Sequence, residues 1–280
     1  MNTKLPLIFL HFPRTGGYTF HDILKQCFSS ENVYSIYGTK EGVVPKYYED
    51  AFLQKSEQEK KMYKYIHGHA HFGLHEFYNE YTYYTLLRNP IKRIISMYGV
   101  ALKDKSHYLH DIILQNKFTL SDLLYKDVTP EFNNGMTRML GKRQNGICSE
   151  EMFNQALYNF EHYFPVFGIT ERFLESVALM NIAYGSKVRF FHKQLNTKMT
   201  DLSHLMEDKD LIDLIMEKNK YDIKLYEYGV AKFEDLIHQN ILKLEKELDC
   251  IEKLQSKINW LNKGKLSKKL IPFYMKIYNR

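Results

Sequence analysis

Residues 5–19, LPLIFLHFPRTGGYT, decide the fold. Leu5 to Phe12 is a short apolar run ended by Pro13 and followed by Gly16 and Gly17, the pattern of a buried parallel strand feeding a tight turn. From Tyr18 onward the spacing is helical, with Phe20, Ile23, Leu24, Cys27 and Phe28 on one side. The first thirty residues therefore read as strand, glycine loop, helix. In that arrangement backbone N–H groups converge on one spot, and the helix dipole adds partial positive charge there. Gly16 and Gly17 allow close backbone approach. Arg14 supplies a fixed cation, and the hydroxyls of Thr15 and Thr19 can donate hydrogen bonds. A phosphate or sulfate suits such a loop, although a strand-to-helix turn that merely needs small residues would look the same. The loop is neither a Walker A loop nor G-x-G-x-x-G.

Working outward, Tyr63 to His69 and Tyr81 to Leu87 (YTYYTLL) are expected strands. Residues 31–62 are polar, with a charged run at Gln54 to Lys61, and read as a loop with a surface helix. Asn89-Pro90 breaks the second strand. Ile91, Ile94, Ile95, Tyr98, Ala101 and Leu102 then recur at helical intervals, with Pro90 near the start where proline is tolerated. Phe164 to Ile169 is a further strand, and Thr170 with Glu171 opens a helix through Leu179. Strands separated by helices imply an α/β fold, a mostly parallel sheet covered on both faces. Beyond Gly229, Ile237, Ile241, Leu244, Leu248 and Ile251 follow a four-three rhythm along a charged helix. That rhythm suits packing on the protein's own core, and also a helix-mediated homodimer. The expected organisation is a main domain over residues 1–228 and a helical, basic extension over 229–280.

The chain has 280 residues, 44% hydrophobic and 26% charged, which is enough apolar material for a core and excludes wholesale disorder. Its three cysteines, Cys27, Cys148 and Cys250, are far apart and form no Cys-x-x-Cys pair, so they read as reduced thiols. The net charge of +6 is uneven: residues 252–280 carry +7, and the remainder is nearly neutral. The chain is therefore not expected to bind nucleic acid, whereas its basic end is suited to an anionic membrane surface. No run approaches the ~20 apolar residues that span a bilayer, and the start lacks the small-residue cleavage site of a signal peptide.

A second constellation sharpens the reading of the loop. Arg88 closes the strong strand, and Ser96 lies eight residues on, inside the helix. Lys92, Ser96 and Lys103 form a polar stripe with Arg93 nearby. Arginine is suited to bidentate phosphate contacts, so Arg88 and Ser96 can clamp a second phosphate. Both anion sites then lie at the carboxyl edge of the sheet, where open α/β folds bind ligands.

PRTGGYTF after the first strand, LLRNPIKRIISMY after a later one, and the downstream FGITERF resemble the carbohydrate O-sulfotransferases that use 3′-phosphoadenosine 5′-phosphosulfate (PAPS). Within them the chain is most similar to the group containing the uronyl/heparan sulfate 2-O-sulfotransferases, from about Leu7 to the middle 190s. The resemblance implies a P-loop-kinase-like fold with a five-stranded parallel sheet. It implies that the loop Arg14, Thr15, Gly16, Gly17, Tyr18 and Thr19 holds the 5′-phosphosulfate and that Arg88 and Ser96 bind the 3′-phosphate. Asn196-Thr197-Lys198 falls near the family segment that closes over the nucleotide. The family usually has lysine where this chain has Arg14. Arginine stays protonated, so it serves as an electrostatic stabiliser of the leaving phosphate rather than a general acid. Lacking a membrane span, the chain resembles a bacterial-type cytoplasmic enzyme more than the membrane-anchored animal relatives.

Ile66-His67-Gly68-His69-Ala70-His71-Phe72-Gly73-Leu74-His75 packs four histidines into nine residues. On a strand, His67, His69 and His71 share one face. Sulfuryl transfer to a hydroxyl needs a base, and histidine suits that work near neutral pH. The related 2-O-sulfotransferases use a His-Gly-His segment catalytically, which places His69 as the base and His67 as its assistant or orienter. His71 and His75 read as hydrogen-bonding residues at a strand end. A binuclear metal site would need aspartate at His71 and histidine at Phe72, so no metal is expected.

The expected activity is transfer of the sulfuryl group of PAPS to a carbohydrate or glycolipid hydroxyl, leaving 3′,5′-ADP. Arg138, Lys142 and Arg143, in the stretch from Asn133, are candidates to meet an acidic glycan. The alternatives are a nucleotide-dependent kinase, which would need the missing Walker lysine, a non-catalytic nucleotide- or glycan-binding protein, and a histidine-metal hydrolase.

Overall fold

The computed structural model describes residues 4–37, 46–142, 146–185 and 202–262. Five strands, β1 (Leu7–Leu10), β2 (Val33–Ile36), β3 (Tyr65–Gly68), β4 (Thr82–Leu87) and β5 (Gly168–Ile169), form one sheet in the order β2-β3-β1-β4-β5, every neighbouring pair parallel. The helices flanking it begin with α1 (Gly17–Leu24), α2 (Lys46–Leu53), α3 (Glu57–Met62) and α4 (Pro90–Lys103). They continue with α5 (His110–Asn116), α6 (Leu120–Tyr125), α7 (Gly135–Leu140), α8 (Glu150–Tyr163), α9 (Phe173–Tyr184), α10 (Lys209–Lys218) and the long α11 (Lys220–Asn262). The expected α/β architecture, a parallel sheet flanked by helices with a helical C-terminal end, is what the chain forms.

β1 is buried along its whole length, as its unbroken LIFL demands. β4 can keep hydroxyls in the core because each has an acceptor: Tyr84 donates to Ser176 O (3.0 Å) and Thr85 to Leu10 O (2.7 Å). β2 falls where a loop was expected. It is an edge strand with only Ile36 buried, so its apolar signal is too weak to stand out from polar flanks. The strand expected over Phe164 to Ile169 shrinks to Gly168–Ile169, because Pro165 supplies no ladder donor. Gly168 is essential there: a Cβ would lie 2.5 Å from Leu86 Cδ2. The helix that follows starts at Phe173 rather than Thr170, after a short 3₁₀ turn over Thr170–Arg172.

α11 runs through Gly229 without a break, so the expected extension begins inside a helix. Gly229 lies against β4, where a Cβ would sit 2.4 Å from Leu87 Cδ1. Leu225, Phe233, Ile237, Leu244 and Ile251 all join the core that underlies the sheet, while Ile241 faces out. α4, α5, α6 and α10 gather a second apolar cluster around Ile94, Leu123, Phe132 and Ile215. The basic residues from Lys263 onward lie outside the described residues, as do Asn196-Thr197-Lys198 and Arg143.

A buried ion pair ties the two clusters together. Arg93, expected near the polar stripe of α4, is instead fully buried with its guanidinium 3.3 Å from Asp222. Asp222 also accepts from the N–H groups of Met136 (3.1 Å) and Thr137 (2.8 Å), the open donors at the start of α7. Among the described residues, no helix is long and apolar enough to cross a membrane.

Candidate active site

The glycine loop leaves β1 at the carboxyl edge of the sheet. Arg14 and Gly16 both take positive φ (69° and 81°), and Gly16 caps α1 without a side-chain partner. The first N–H groups of α1 therefore point out of the turn with no intrahelical acceptor. Gly17 is required for a different reason: a Cβ there would lie 1.9 Å from the ring of His11.

The loop and the second constellation form one site. Arg88 donates to the carbonyl of Arg14 (2.7 Å), and Arg14 Nε donates to Ser96 Oγ (3.1 Å). The downstream motif closes the triangle. Thr170 Oγ1 lies 2.7 Å from Thr15 O and 3.0 Å from Leu87 O, and Glu171 accepts from Asn89 N (3.2 Å). PRTGGYTF, LLRNPIKRIISMY and FGITERF are thus hydrogen-bonded to one another. A left-handed arginine costs roughly 1–2 kcal/mol of backbone strain, and these bonds hold it in place. Burial lowers the pKa of both Arg14 and Arg88, which remain cations. The hydroxyl of Thr15 turns inward, fully buried, and donates to Phe12 O (2.9 Å), so only the main chain of this residue faces the turn. Thr19 is half-buried on α1.

On the β3 side of the loop stands a cluster of imidazole and phenol rings. The register sets Phe9 beside His67, and Ser35 beside His67 on the other flank. His69 Nδ1 is 2.7 Å from the carbonyl of His11. A carbonyl only accepts, so Nδ1 carries the proton and Nε2 keeps its lone pair. Burial, against a partial rise from that hydrogen bond and with Arg14 adding to the fall, lowers the His69 pKa to about 4. His69 is neutral at pH 7.

His67 occupies a deeper place than the expected role requires. It is 1% exposed, its Nε2 is 2.6 Å from Ser35 Oγ, and its ring stacks on His21 at 3.6 Å. Burial, with His21 and His69 adding to it, lowers its pKa to about 2. The orientation of His69 comes from the His11 carbonyl, whereas His67 makes no hydrogen bond to it and touches the same Tyr37 ring from below. Past the end of β3, His71 pairs with Glu49 (2.8 Å), whereas His75 lies farther on, in a 3₁₀ turn over Leu74–Phe77, 3.3 Å from the Tyr83 hydroxyl.

Three members of the cluster escaped the sequence reading. His11 is buried, 2.7 Å from the Tyr37 hydroxyl through Nδ1 and 4.6 Å from the His69 ring. Its pKa is pushed well below the usual histidine value by burial and then by His69, His67 and Arg14. Tyr37 packs against His11, Tyr18, His67 and His69 at once. His21 lies one helical turn from Tyr18, with burial lowering its pKa to about 4. Period-two reading of β1, extended from Phe9 to His11, would have found the first of these.

Two cations of the stretch from Asn133 are paired within the chain. Arg138 is buried and donates to the carbonyls of Asn133 (2.7 Å) and Gly146 (2.8 Å), and Lys142 pairs with Glu76 (2.7 Å). Arg138 thereby ties two loops together inside the fold, while the Lys142–Glu76 pair lies at the surface. Among the described residues, no group of three His, Cys, Asp or Glu side chains is placed to hold a metal ion.

The geometry offers an anion-binding turn with two arginines on one side and a neutral imidazole with an open nitrogen on the other. In comparison with known proteins, a model described as the sulfotransferase family matches residues 1–229. No curated protein matches the sequence.

Proposed function

We propose that this chain, which belongs to the sulfotransferase family, carries the sulfuryl group of PAPS to a hydroxyl of a carbohydrate acceptor. The observation that carries this reading is the pair of bonds from Arg14 to Ser96 and from Arg88 to Arg14, which makes one donor site of two separate anion motifs.

The residues present fit an anionic donor. The N–H groups opening α1 and the Arg14 guanidinium would hold its 5′-phosphosulfate, and Arg88 with Ser96 its 3′-phosphate. When bound, the donor supplies an electrophilic sulfur and a phosphate leaving group. His69 Nε2 takes the proton of the acceptor hydroxyl, while Nδ1 stays anchored on the His11 carbonyl. Arg14, the loop amides and the α1 dipole would stabilise the negative charge that grows on the leaving phosphate oxygen. Anions held beside His69 favour its protonated form, so the loaded site has a stronger base than the protein alone. His67, Ser35 and Tyr37 keep that ring in a dry, fixed wall.

Calorimetric titration with 3′,5′-ADP and separately with 5′-AMP tests the donor assignment. Clear preference for the 3′-phosphorylated nucleotide, lost in Arg88→Ala and Ser96→Ala, is expected. Equal or absent binding of the two nucleotides would overturn it.

A further inference from the structure

Tyr18 opens toward solvent at the mouth of the glycine loop. The residue is 58% exposed, yet its ring is held on two sides. Tyr37 stacks against it at 5.2 Å and 25°, and His11 meets it edge-on at 5.5 Å and 84°. Tyr37 is itself fixed by the 2.7 Å contact between its hydroxyl and His11 Nδ1. A large ring held against two others and more than half exposed loses little freedom when something flat covers it.

The strand order says what that something is. β2 and β3 lie on one side of β1, and β4 and β5 on the other. Arg88 and Ser96 belong to the β4 side, so the 3′-phosphorylated ribose and its base extend that way. Tyr18 shares Tyr37 and His11 with His69, on the β3 side, where the acceptor hydroxyl must come for its proton to be removed. Burial and then the charges of Arg14 and, at the end of α4, Asp104 act on the Tyr18 phenol, so its ring stands between the loop cation and the imidazole cluster. An exposed aromatic ring that shares its packing partners with His69 matches a molecule with a flat C–H face and hydroxyls around its rim.

We propose that the open face of Tyr18 is the platform on which a pyranose ring of the acceptor stacks, presenting a hydroxyl to His69. This rests on the sulfotransferase reading and names the residue that selects a sugar over other alcohols.

The test uses full-length protein saturated with 3′,5′-ADP and saturation-transfer difference spectra of methyl β-D-glucopyranoside, with 4-methylphenol as competitor. The signal from the sugar ring C–H protons is expected to fall about fivefold or more in Tyr18→Ala and to stay within about twofold in Tyr18→Phe, which keeps the ring. An unchanged melting temperature shows that Tyr18→Ala is folded, and titration of the variant with 3′,5′-ADP reads its donor site separately. Three results overturn the platform: equal sugar signal in Tyr18→Ala, no sugar signal in wild type although 3′,5′-ADP binds, or a Tyr18-dependent signal for 4-methylphenol alone. Loss of 3′,5′-ADP binding in a folded Tyr18→Ala also overturns it, by giving the ring to the nucleotide. A wild-type protein that takes the glucoside through Tyr18 but refuses 3′,5′-ADP would instead sink the donor reading and leave the platform standing.

Discussion

Arg14 Nε donates to Ser96 Oγ over 3.1 Å across 82 residues of sequence, and this bond makes the cation of the glycine loop common property of both anion motifs. The guanidinium is steered by α4, while its backbone is gripped by Arg88. Charge placed in this way needs no rearrangement when a phosphate leaves, which is where preorganised electrostatics act most strongly.

Arg14→Ala should therefore lower the rate of 3′,5′-ADP release from PAPS by about 10²–10³-fold, the range found when one such donor is removed. Arg14→Lys keeps the charge and should retain most of the activity. Initial rates for the two variants, measured side by side, check the distinction between charge and hydrogen-bond geometry.

The imidazole cluster makes stability depend on pH. The folded-state pKa values of His67 (about 2) and of His21 and His69 (about 4) lie below the ordinary histidine value of 6.5. Unfolded chains therefore bind protons first as pH falls below 6.5, and stability drops with them. His67, whose pKa is the lowest of these three, should by itself cost about 2 kcal/mol between pH 6.5 and 5. Urea unfolding at pH 7 and pH 5 is expected to show this loss, and His67→Gln to flatten it.

Activity should follow the same protons with a different midpoint. His69 acts as base only when neutral, so the rate should rise with pH through a single ionisation and level off before neutrality. With donor present the midpoint should lie above about 4, because bound anions favour the imidazolium. His69→Gln should remove the acid limb along with most of the turnover, as a pH–rate profile would record.

Asp222, fully buried, sits where Arg93 and two helix N–H groups converge. Asp222→Ala strands a buried guanidinium and should cost about 3–5 kcal/mol. The double variant Arg93→Met, Asp222→Leu removes both charges and should recover part of that loss. It should fall short of wild type because the N–H groups of Met136 and Thr137 remain without an acceptor. Denaturant midpoints of the three proteins give the comparison.

Gly17→Ala tests the contact that seats His11. The new methyl would lie 1.9 Å from the imidazole, so the ring, or the loop, must move. A loss of about 1–3 kcal/mol is expected from overpacking. Because the carbonyl of the same residue fixes the proton on His69, 3′,5′-ADP release from PAPS should fall as well, and both readouts come from one variant.

The parts of this site legible in the sequence were those written in local pattern. LPLIFLHFPRTGG announces a buried strand and a tight turn, and YTYYTLLRNP announces a second strand ending in a cation, because each element carries its own apolar run and its own breaker. The bond from Arg14 to Ser96 could only be suspected from motif order. The polar edge strand β2 was illegible, and Tyr37, which follows it, went with it. Arg138 and Lys142 show a different limit: charge in a sequence does not say which carbonyl or carboxylate of the same chain pairs with it. Thr170 and Glu171 looked like a helix start, yet one binds carbonyls of the glycine loop and β4 and the other caps Asn89, contacts that only the closed sheet creates.

Gly229 against Leu87 has a consequence for how the protein is made. Leu87 immediately precedes Arg88, so the strand end that presents this cation rests on the last long helix. A ribosome delivers the glycine loop, Arg88 and Ser96 early, and domains fold as they emerge. Here the sheet edge waits for α11, whose Ile237, Leu244 and Ile251 come later still. Nascent chains halted shortly after residue 229 should therefore carry every proposed donor-binding residue and still fail to retain 3′,5′-ADP, acquiring it only once the helix has cleared the exit tunnel.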